Sequence, residues 1–89
     1  MSKLSSPPPF RIAIAHEALR QFDMLSPRAA RSANTLLRTA MRQNPEEQGV
    51  RLHGEKMKGY HLIRKSDFQI TYSVDYGRRT VHVLRIESR

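Results

Sequence analysis

The sequence predicts a single α+β domain with the element order β-α-α-β-β-β, in which a two-helix hairpin packs on one face of a mainly antiparallel four-stranded sheet. Three observations support this prediction. Apolar residues recur at helical spacing in the N-terminal half, and they alternate at strand spacing in residues 60–86. Short turns rich in Ser, Asp and Gly separate the strand-like runs, as in a meander. A chain of 89 residues buries only enough surface for one core of two layers.

The N-terminal part of the chain predicts an arm, a strand and a helix. Residues 1–9, MSKLSSPPP, are polar and rich in proline, so we expect a flexible arm that precedes a domain of residues 10–89. The run FRIAIA, residues 10–15, alternates in the manner of a short first strand. Residues 16–25 then predict an amphipathic helix, because their apolar side chains recur every three or four positions.

Ser26 and Pro27 predict the start of a second helix, because serine caps a helix N-terminus and proline suits its first position. We expect this helix to reach Gln43, since Pro45 restricts the residue before it. Such a helix has one apolar face, and its opposite face carries four arginines, Arg28, Arg31, Arg38 and Arg42. An arginine stripe of this kind is either a solvated surface or a surface for an anionic partner.

Three strands are predicted in the C-terminal part of the chain, after a loop of residues 46–58. Alternating apolar residues place these strands at residues 60–65, 68–74 and 80–86. Residues 66–67 form the first turn and residues 75–78 the second, where Gly77 is available for a positive φ. The last strand is apolar on both sides until Arg85, which predicts a position between two neighbouring strands and beneath the helices.

The composition excludes several classes of function. The chain has no cysteine, which excludes disulfides, thiolate nucleophiles and thiolate metal sites. No pair of histidines has the spacing of a helical zinc site, so we predict neither a metal nor another cofactor. The first residues lack the apolar core of a signal peptide, and no run is long enough to cross a bilayer, so we expect a cytoplasmic protein. The formal net charge of +8 predicts a polyanionic partner, unless it serves solubility alone.

The face of the sheet that the helices leave uncovered is the predicted functional surface. It collects side chains from the three C-terminal strands and from the loop before them, and these are rich in groups that bind phosphate. The candidates are His61, Arg64, Lys65, Gln69, Arg85 and Arg89, with Lys56 and Lys58 on the loop. Strand alternation places His61 and Lys65 on one side and Arg64 on the other unless a bulge intervenes, so the pattern leaves open which set faces outward.

The short motifs of the chain follow a recognisable order. The helical hairpin ends in QNP, and VRLHG, GYHLIR, DFQITYSVD and VHVLRIESR follow it. This series, over residues 10–89, resembles the RelE/ParE superfamily, the toxins of bacterial type II toxin–antitoxin pairs. The resemblance implies the fold described above and a cognate antitoxin as partner, which the basic charge predicts to be acidic. RelE-type members cleave messenger RNA in the ribosomal A site without a metal, whereas ParE-type members poison DNA gyrase.

On this resemblance, the leading hypothesis is a ribosome-dependent endoribonuclease that cleaves messenger RNA. His61 matches a position where a basic catalytic residue is common, and we assign it to proton transfer. Arg64 and Arg89 match arginines of the family pattern, and we assign them to stabilising the phosphorane. The remaining candidates are expected to bind the RNA, namely Lys56, Lys58, Lys65, Gln69 and Arg85.

Two departures from the family pattern keep other hypotheses open. Gln69 stands where the family commonly has an arginine, and an amide can position a phosphate but cannot neutralise it. Several cleaving members also continue beyond the position of Arg89 into a tail with a tyrosine or histidine. The alternatives are therefore a DNA gyrase inhibitor of the ParE type, and a catalytically weak basic module that binds nucleic acid or only its antitoxin.

Overall fold

The computed structural model of the chain describes residues 8–89, so most of the predicted arm lies outside the described residues. Within this range the α+β class and the order of the predicted elements are confirmed. The elements are β1 (Arg11–Ile14), α1 (His16–Phe22), α2 (Pro27–Arg38), α3 (Ala40–Gln43), α4 (Pro45–Gln48), β2 (Val50–Arg51), a 3-10 helix (Glu55–Met57), β3 (Tyr60–Arg64), β4 (Phe68–Asp75) and β5 (Thr80–Ser88). No helix in residues 8–89 is long and apolar enough to cross a membrane.

The strands form one sheet in the order β1-β5-β4-β3-β2. β1 pairs with β5 in parallel, and the other neighbours are antiparallel. The prediction of four strands is wrong by one, because β2 lies inside the predicted loop. Val50 and Arg51 form a strand only through their pairing with Leu62 and His61. A strand of two residues has no alternation that the sequence could reveal.

The predicted second helix is divided into two. Ser26 starts α2 as predicted, since its hydroxyl oxygen accepts a hydrogen bond from the Ala29 N–H at 3.2 Å. The helix ends at Arg38, because Thr39 adopts φ −117° and ψ −88°, outside the helical region. The Thr39 hydroxyl donates a hydrogen bond to the Thr35 carbonyl oxygen at 2.6 Å, a local bond of the kind that competes with regular helix geometry.

The hydrophobic core lies between the helices and one face of the sheet. Alanines 18, 29 and 33 are fully buried on the helices, where their small side chains fit into the close-packed core. The larger buried side chains are Phe10, Leu25, Leu37, Met41, Ile63, Phe68, Ile70, Tyr72, Val81, Val83 and Ile86. A side-chain contact also ties α1 to the sheet, because Gln21 Oε1 accepts a hydrogen bond from the Ile86 N–H at 2.8 Å.

The segment between α4 and β2 lies directly against the sheet. The Tyr72 hydroxyl donates a hydrogen bond to the Pro45 carbonyl oxygen at 2.6 Å. Gly49 follows, and a Cβ at this position would lie 2.8 Å from the Leu62 carbonyl oxygen and 2.8 Å from Tyr72 Oη. Only glycine allows so close an approach without a shift of the backbone. These contacts fix the start of the loop that carries the candidate site.

The two faces of the sheet carry different residues. The covered face, toward the helices, includes His61, Ile63, Phe68, Ile70, Tyr72, Val81, Val83 and Ile86. The open face includes Tyr60, Leu62, Arg64, Gln69, Thr71, Ser73, His82, Arg85 and Glu87. The register of β4 and β5 shifts by one residue, so that Leu84 opposes no residue of β4. This bulge keeps both Val83 and Ile86 on the covered face, although three positions separate them.

The turn between β4 and β5 holds the beginning of the described chain in place. The positive φ of this turn occurs at Arg79, at +46°, and not at Gly77 as predicted. The Arg79 guanidinium donates two hydrogen bonds to the Pro8 carbonyl oxygen, at 3.0 and 2.7 Å, and lies 4.1 Å from the centroid of the Phe10 ring. Backbone strain at an arginine is therefore accompanied by a contact that anchors residues 8–10.

Candidate active site

His61 lies on the covered face of β3, so of the two sets that strand alternation leaves open it is that of Arg64, and not that of His61, that faces the open side. Its residue is 6% exposed. It stands opposite Tyr72 of β4, and the two rings stack with centroids 5.1 Å apart and an angle of 19° between their planes. The period of two in β3 places His61 on the same side as Ile63, and both residues are buried.

The imidazole of His61 has unused hydrogen-bonding capacity. Neither ring nitrogen has a hydrogen-bond partner among the described residues, and both nitrogens are buried. Burial lowers the pKa of His61 below its usual value, and the positive charge of Arg51 lowers it further, whereas Glu46 raises it. The ring is therefore neutral at pH 7, and a neutral imidazole offers one donor and one acceptor.

A pocket of about 670 Å³ opens beside His61, between β3 and the loop that precedes it. It is lined by Arg51, Leu52, His53, Gly54, Glu55, Lys58, Gly59, His61, Val74 and Tyr76. Gly54 and Gly59 have φ of +98° and +90°, values that suit glycine, and they bend the loop at both ends of the 3-10 helix. The loop thus forms one wall of the pocket, and the end of β4 forms the other.

Besides His61, three residues of basic type line this pocket, Arg51, His53 and Lys58, together with the acidic Glu55. Arg51 stands directly opposite His61 in the pairing of β2 with β3. Its guanidinium contacts the Glu46 carboxylate at 3.4 Å, but both side chains are more than half exposed, so the pair adds little stability. Of the predicted RNA-binding residues, only Lys58 lines this pocket. Lys56 lies nearby in the 3-10 helix and does not line it.

A second group of polar side chains lies on the open face. Arg64, Gln69 and Glu87 form a row across β3, β4 and β5, each opposite the next. Gln69 Nε2 donates a hydrogen bond to Glu87 Oε1 at 3.0 Å, and Arg85 Nη2 donates one to Glu87 Oε2 at 2.9 Å. The bond from Gln69 holds the pKa of Glu87 below its usual value, and Arg85 adds to the effect. A carboxylate therefore lies within the predicted phosphate-binding surface.

The other predicted cations lie at the far end of β3. Arg89 Nη1 donates a hydrogen bond to the Lys65 carbonyl oxygen at 2.6 Å, and the Arg89 N–H donates one to the Asp67 carbonyl oxygen at 3.2 Å. Arg64 precedes Lys65 and faces the open side. His61 and Arg64 are three strand positions apart, roughly 10 Å along β3, and point to opposite faces. The structure therefore does not bring His61, Arg64 and Arg89 together.

Two residues of this region escape sequence reasoning, Arg51 and Glu87. Arg51 joins His61 through the pairing of β2, which has no sequence signature of its own. Glu87 lies two positions after Arg85 in β5, so strand alternation alone places both side chains on the same face. Its contact with Gln69 could not be inferred from alternation, because that contact depends on the register of β4 and β5.

No family model matches the chain. A relative described as Toxin RelE, from Mycobacterium tuberculosis, is 26% identical over 86 residues, which are 97% of this chain and 88% of the relative.

Solved structures share the fold at lower identity. The toxin–antitoxin complex RelBE2 from Mycobacterium tuberculosis contains a chain that superposes with a TM-score of 0.85 at 23% identity, covering 91% of this chain and 99% of that one. The isolated RelE toxin of E. coli gives a TM-score of 0.73 at 17% identity, over 89% of this chain and 83% of that one. A YoeB/ParE toxin from Agrobacterium tumefaciens gives 0.72 at 19% identity, over 90% of this chain and 99% of that one. These structures confirm the fold that the resemblance implies, and the RelE relative supports the resemblance itself.

Proposed function

We propose that this chain is the toxin of a type II toxin–antitoxin pair and that it acts as a metal-independent, ribosome-dependent endoribonuclease on messenger RNA. Similarity to a RelE toxin over nearly the whole chain supports the toxin assignment. The observation that carries the proposed activity is the neutral imidazole of His61, which has no hydrogen-bond partner within residues 8–89 and lies beside a pocket lined by Arg51, His53 and Lys58. This combination offers a proton acceptor next to cations, which is what cleavage of RNA without a metal needs.

The proposed reaction uses the ribose of the substrate as the nucleophile. The 2′-hydroxyl loses its proton to the acceptor nitrogen of His61 while the 2′-oxygen attacks phosphorus. The bond between phosphorus and the 5′-oxygen breaks, and the Lys58 ammonium supplies a proton to the departing oxygen. Arg51 offsets the charge that builds on the non-bridging oxygens. The ring nitrogens of His61 are buried in the free protein, so the imidazole has to turn toward the pocket when RNA binds.

Arg64 and Arg89 lie outside the pocket, and in this proposal they bind the RNA backbone instead of the phosphorane. Arg64 and Arg89 were assigned by resemblance to the phosphorane, but they lie at the other end of β3 from His61. We place them, with Lys65, on the RNA backbone beyond the scissile bond, where a phosphate contact positions the chain. Lys56 stays a predicted backbone contact at the edge of the pocket, and Gln69 and Arg85 stay predicted contacts on the open face.

An acidic antitoxin is the proposed protein partner. One of the solved structures with this fold is a toxin–antitoxin complex. The exposed side of α2 presents Arg28, Arg31 and Arg38, and that helix contains no acidic residue. A helix surface with a single sign of charge favours an oppositely charged chain and speeds its association.

The second candidate function is inhibition without RNA cleavage, as in ParE-type gyrase inhibitors. Two observations support this alternative, namely the burial of both nitrogens of His61 and the carboxylate of Glu87 on the open face. If the imidazole cannot reach a substrate, the basic surfaces act only in binding. The same chain would then bind DNA gyrase or only its antitoxin.

Induced expression in bacteria separates these functions. We would compare wild type, His61→Ala and His82→Ala, and map messenger RNA ends and DNA breaks. His82 is an exposed histidine on the open face of β5, so its replacement matches the substitution but leaves the pocket intact. Codon-periodic RNA ends in wild type and His82→Ala, and their loss in a folded His61→Ala protein, are expected. DNA breaks without RNA ends would support the gyrase function, and undiminished cutting by His61→Ala would refute the role of His61.

A further inference from the structure

Glu87 is the one acidic side chain in the row of polar residues on the open face. Its two carboxylate oxygens accept hydrogen bonds from different donors, Gln69 Nε2 at 3.0 Å and Arg85 Nη2 at 2.9 Å. The donors come from neighbouring strands that the sheet register fixes, and Arg64 stands on the other side of Gln69. The carboxylate thus occupies the point where an amide and a guanidinium converge.

The hydrogen bonds from Gln69 and Arg85 to Glu87 add too little stability to explain why these three residues are arranged in this way. The side chain of Arg85 is 55% exposed and that of Glu87 is 33% exposed. Pairs with so much access to water contribute little to folding. An amide N–H and a guanidinium N–H directed at one oxygenated anion are, however, the groups that bind a phosphate.

We infer that Glu87 is an internal counter-anion, which occupies a phosphate-binding position formed by Gln69 and Arg85 and so weakens the binding of RNA to the open face. This inference rests on the proposed RNA substrate. An incoming phosphate has to displace the carboxylate from both donors, and Arg85 contributes no net charge to RNA binding until it does. Glu87 thereby determines how strongly this surface holds RNA outside the His61 pocket.

The first test measures RNA binding by Glu87→Gln, which keeps the shape of the side chain and removes its charge. Release of Arg85 for one more phosphate contact should steepen the dependence of log K on log salt by about 0.7, and tighten binding about fivefold at 0.1 M salt. Fluorescence anisotropy with a labelled single-stranded RNA of about 12 nucleotides measures both quantities. Glu87→Asp, which keeps the charge, should stay within about twofold of wild type in RNA affinity.

Glu17→Gln is the matched control, because Glu17 is exposed in the first turn of α1 and its loss changes the net charge by the same amount. Its salt dependence should equal that of wild type. If Glu17→Gln and Glu87→Gln tightened RNA binding equally, the effect would come from the net charge of the protein alone, and the inference would be overturned. Unchanged RNA binding by a folded Glu87→Gln protein would overturn it as well.

A second measurement separates this inference from the proposed function. Inorganic pyrophosphate is titrated while NMR follows the side-chain amide of Gln69 and the Nε–H of Arg85. Both signals should shift in Glu87→Gln at pyrophosphate concentrations that leave wild type unaffected. If both signals shift in this way but neither wild type nor Glu87→Gln binds RNA, Glu87 is confirmed as an internal counter-anion and the proposal of an RNA substrate is refuted. If RNA is cleaved but pyrophosphate shifts the signals of both proteins equally, the proposed function is supported and the role of Glu87 as a counter-anion is refuted.

Discussion

The ring of His61 stacks on the ring of Tyr72 with centroids 5.1 Å apart. Tyr72 is itself held in place, because its hydroxyl donates a hydrogen bond to the Pro45 carbonyl oxygen at 2.6 Å. The candidate base therefore rests on a buried residue that also holds the loop segment at Pro45. Stability of the loop and placement of the imidazole are expected to depend on the same contacts.

The stability of the protein should fall as the pH is lowered through the range where a free histidine titrates. The pKa of His61 lies below its ordinary value of 6.5 because burial disfavours the charged ring. The unfolded chain takes up this proton near its ordinary pKa and the folded chain only at lower pH, so the stabilisation is complete above the ordinary pKa and declines below it. Thermal denaturation between pH 5 and 7.5, roughly one unit or more on either side of the usual value, measures the decline.

His61→Phe removes this titration and both ring nitrogens, which find no hydrogen-bond partner in the described part of the chain. The variant should lose less stability than wild type on acidification, and at neutral pH it should be at least as stable, because phenylalanine places no polar atom in this buried position. His82→Phe at the exposed position of β5 provides the control and should keep the pH dependence of wild type. Identical pH dependence for His61→Phe and wild type would contradict the burial of a neutral His61.

Tyr72→Phe should destabilise the fold by about 1–3 kcal/mol, because the buried Pro45 carbonyl oxygen loses its hydrogen bond. Burial raises the pKa of Tyr72 to about 12, so the hydroxyl keeps its proton throughout the working range of pH. Urea denaturation gives the free energy of unfolding. Tyr60→Phe is the control, since Tyr60 is only partly buried and its hydroxyl makes no side-chain hydrogen bond within residues 8–89.

Gly49→Ala should destabilise the protein by about 1–3 kcal/mol, because the new methyl group would lie 2.8 Å from a backbone oxygen of β3. Gly77→Ala adds the same methyl group where the nearest heavy atom, Asp75 Oδ1, is 3.6 Å away, and it should be close to neutral. Unfolding curves of both proteins provide the comparison. Equal stability of the two variants would mean that the loop yields without cost at Gly49.

Lys58→Ala should reduce the proposed RNA cleavage about tenfold or more, because Lys58 lines the His61 pocket and its charge would face the reacting phosphate. Lys56→Ala removes the same charge from the same loop, outside the pocket, and should have a smaller effect. Cleavage of a defined message in a reconstituted translation system measures both. If the Lys56 variant were the more impaired, the reacting phosphate would lie outside this pocket.

Association with the antitoxin should slow as the salt concentration rises, because the arginines of α2 attract an acidic chain over distance. Arg31→Glu should lower the association rate more than Arg78→Glu, which makes the same charge change on the turn between β4 and β5. Stopped-flow mixing at several salt concentrations gives these rates. Equal rates for the two variants would place the first encounter elsewhere on the protein.

The sequence by itself determined the elements of this protein whose signals are local. Ser26 caps α2 as its residue type predicts, and alternation identifies the three C-terminal strands, because neighbouring residues alone produce both patterns. The motif order also indicated the RelE/ParE resemblance and with it the fold. The cations and His61 were identified as a set of residue types, without a geometry.

The tertiary structure alone decided which of these residues meet. His61 and Arg64 lie on opposite faces of β3, and only the packing of the helices determines which of those faces is buried. Arg51 reaches the His61 pocket through a strand of two residues, and Glu87 reaches Gln69 through a register that a bulge at Leu84 shifts. Such pairings join residues that are distant in the chain, so the alternation within one strand carries no information about them.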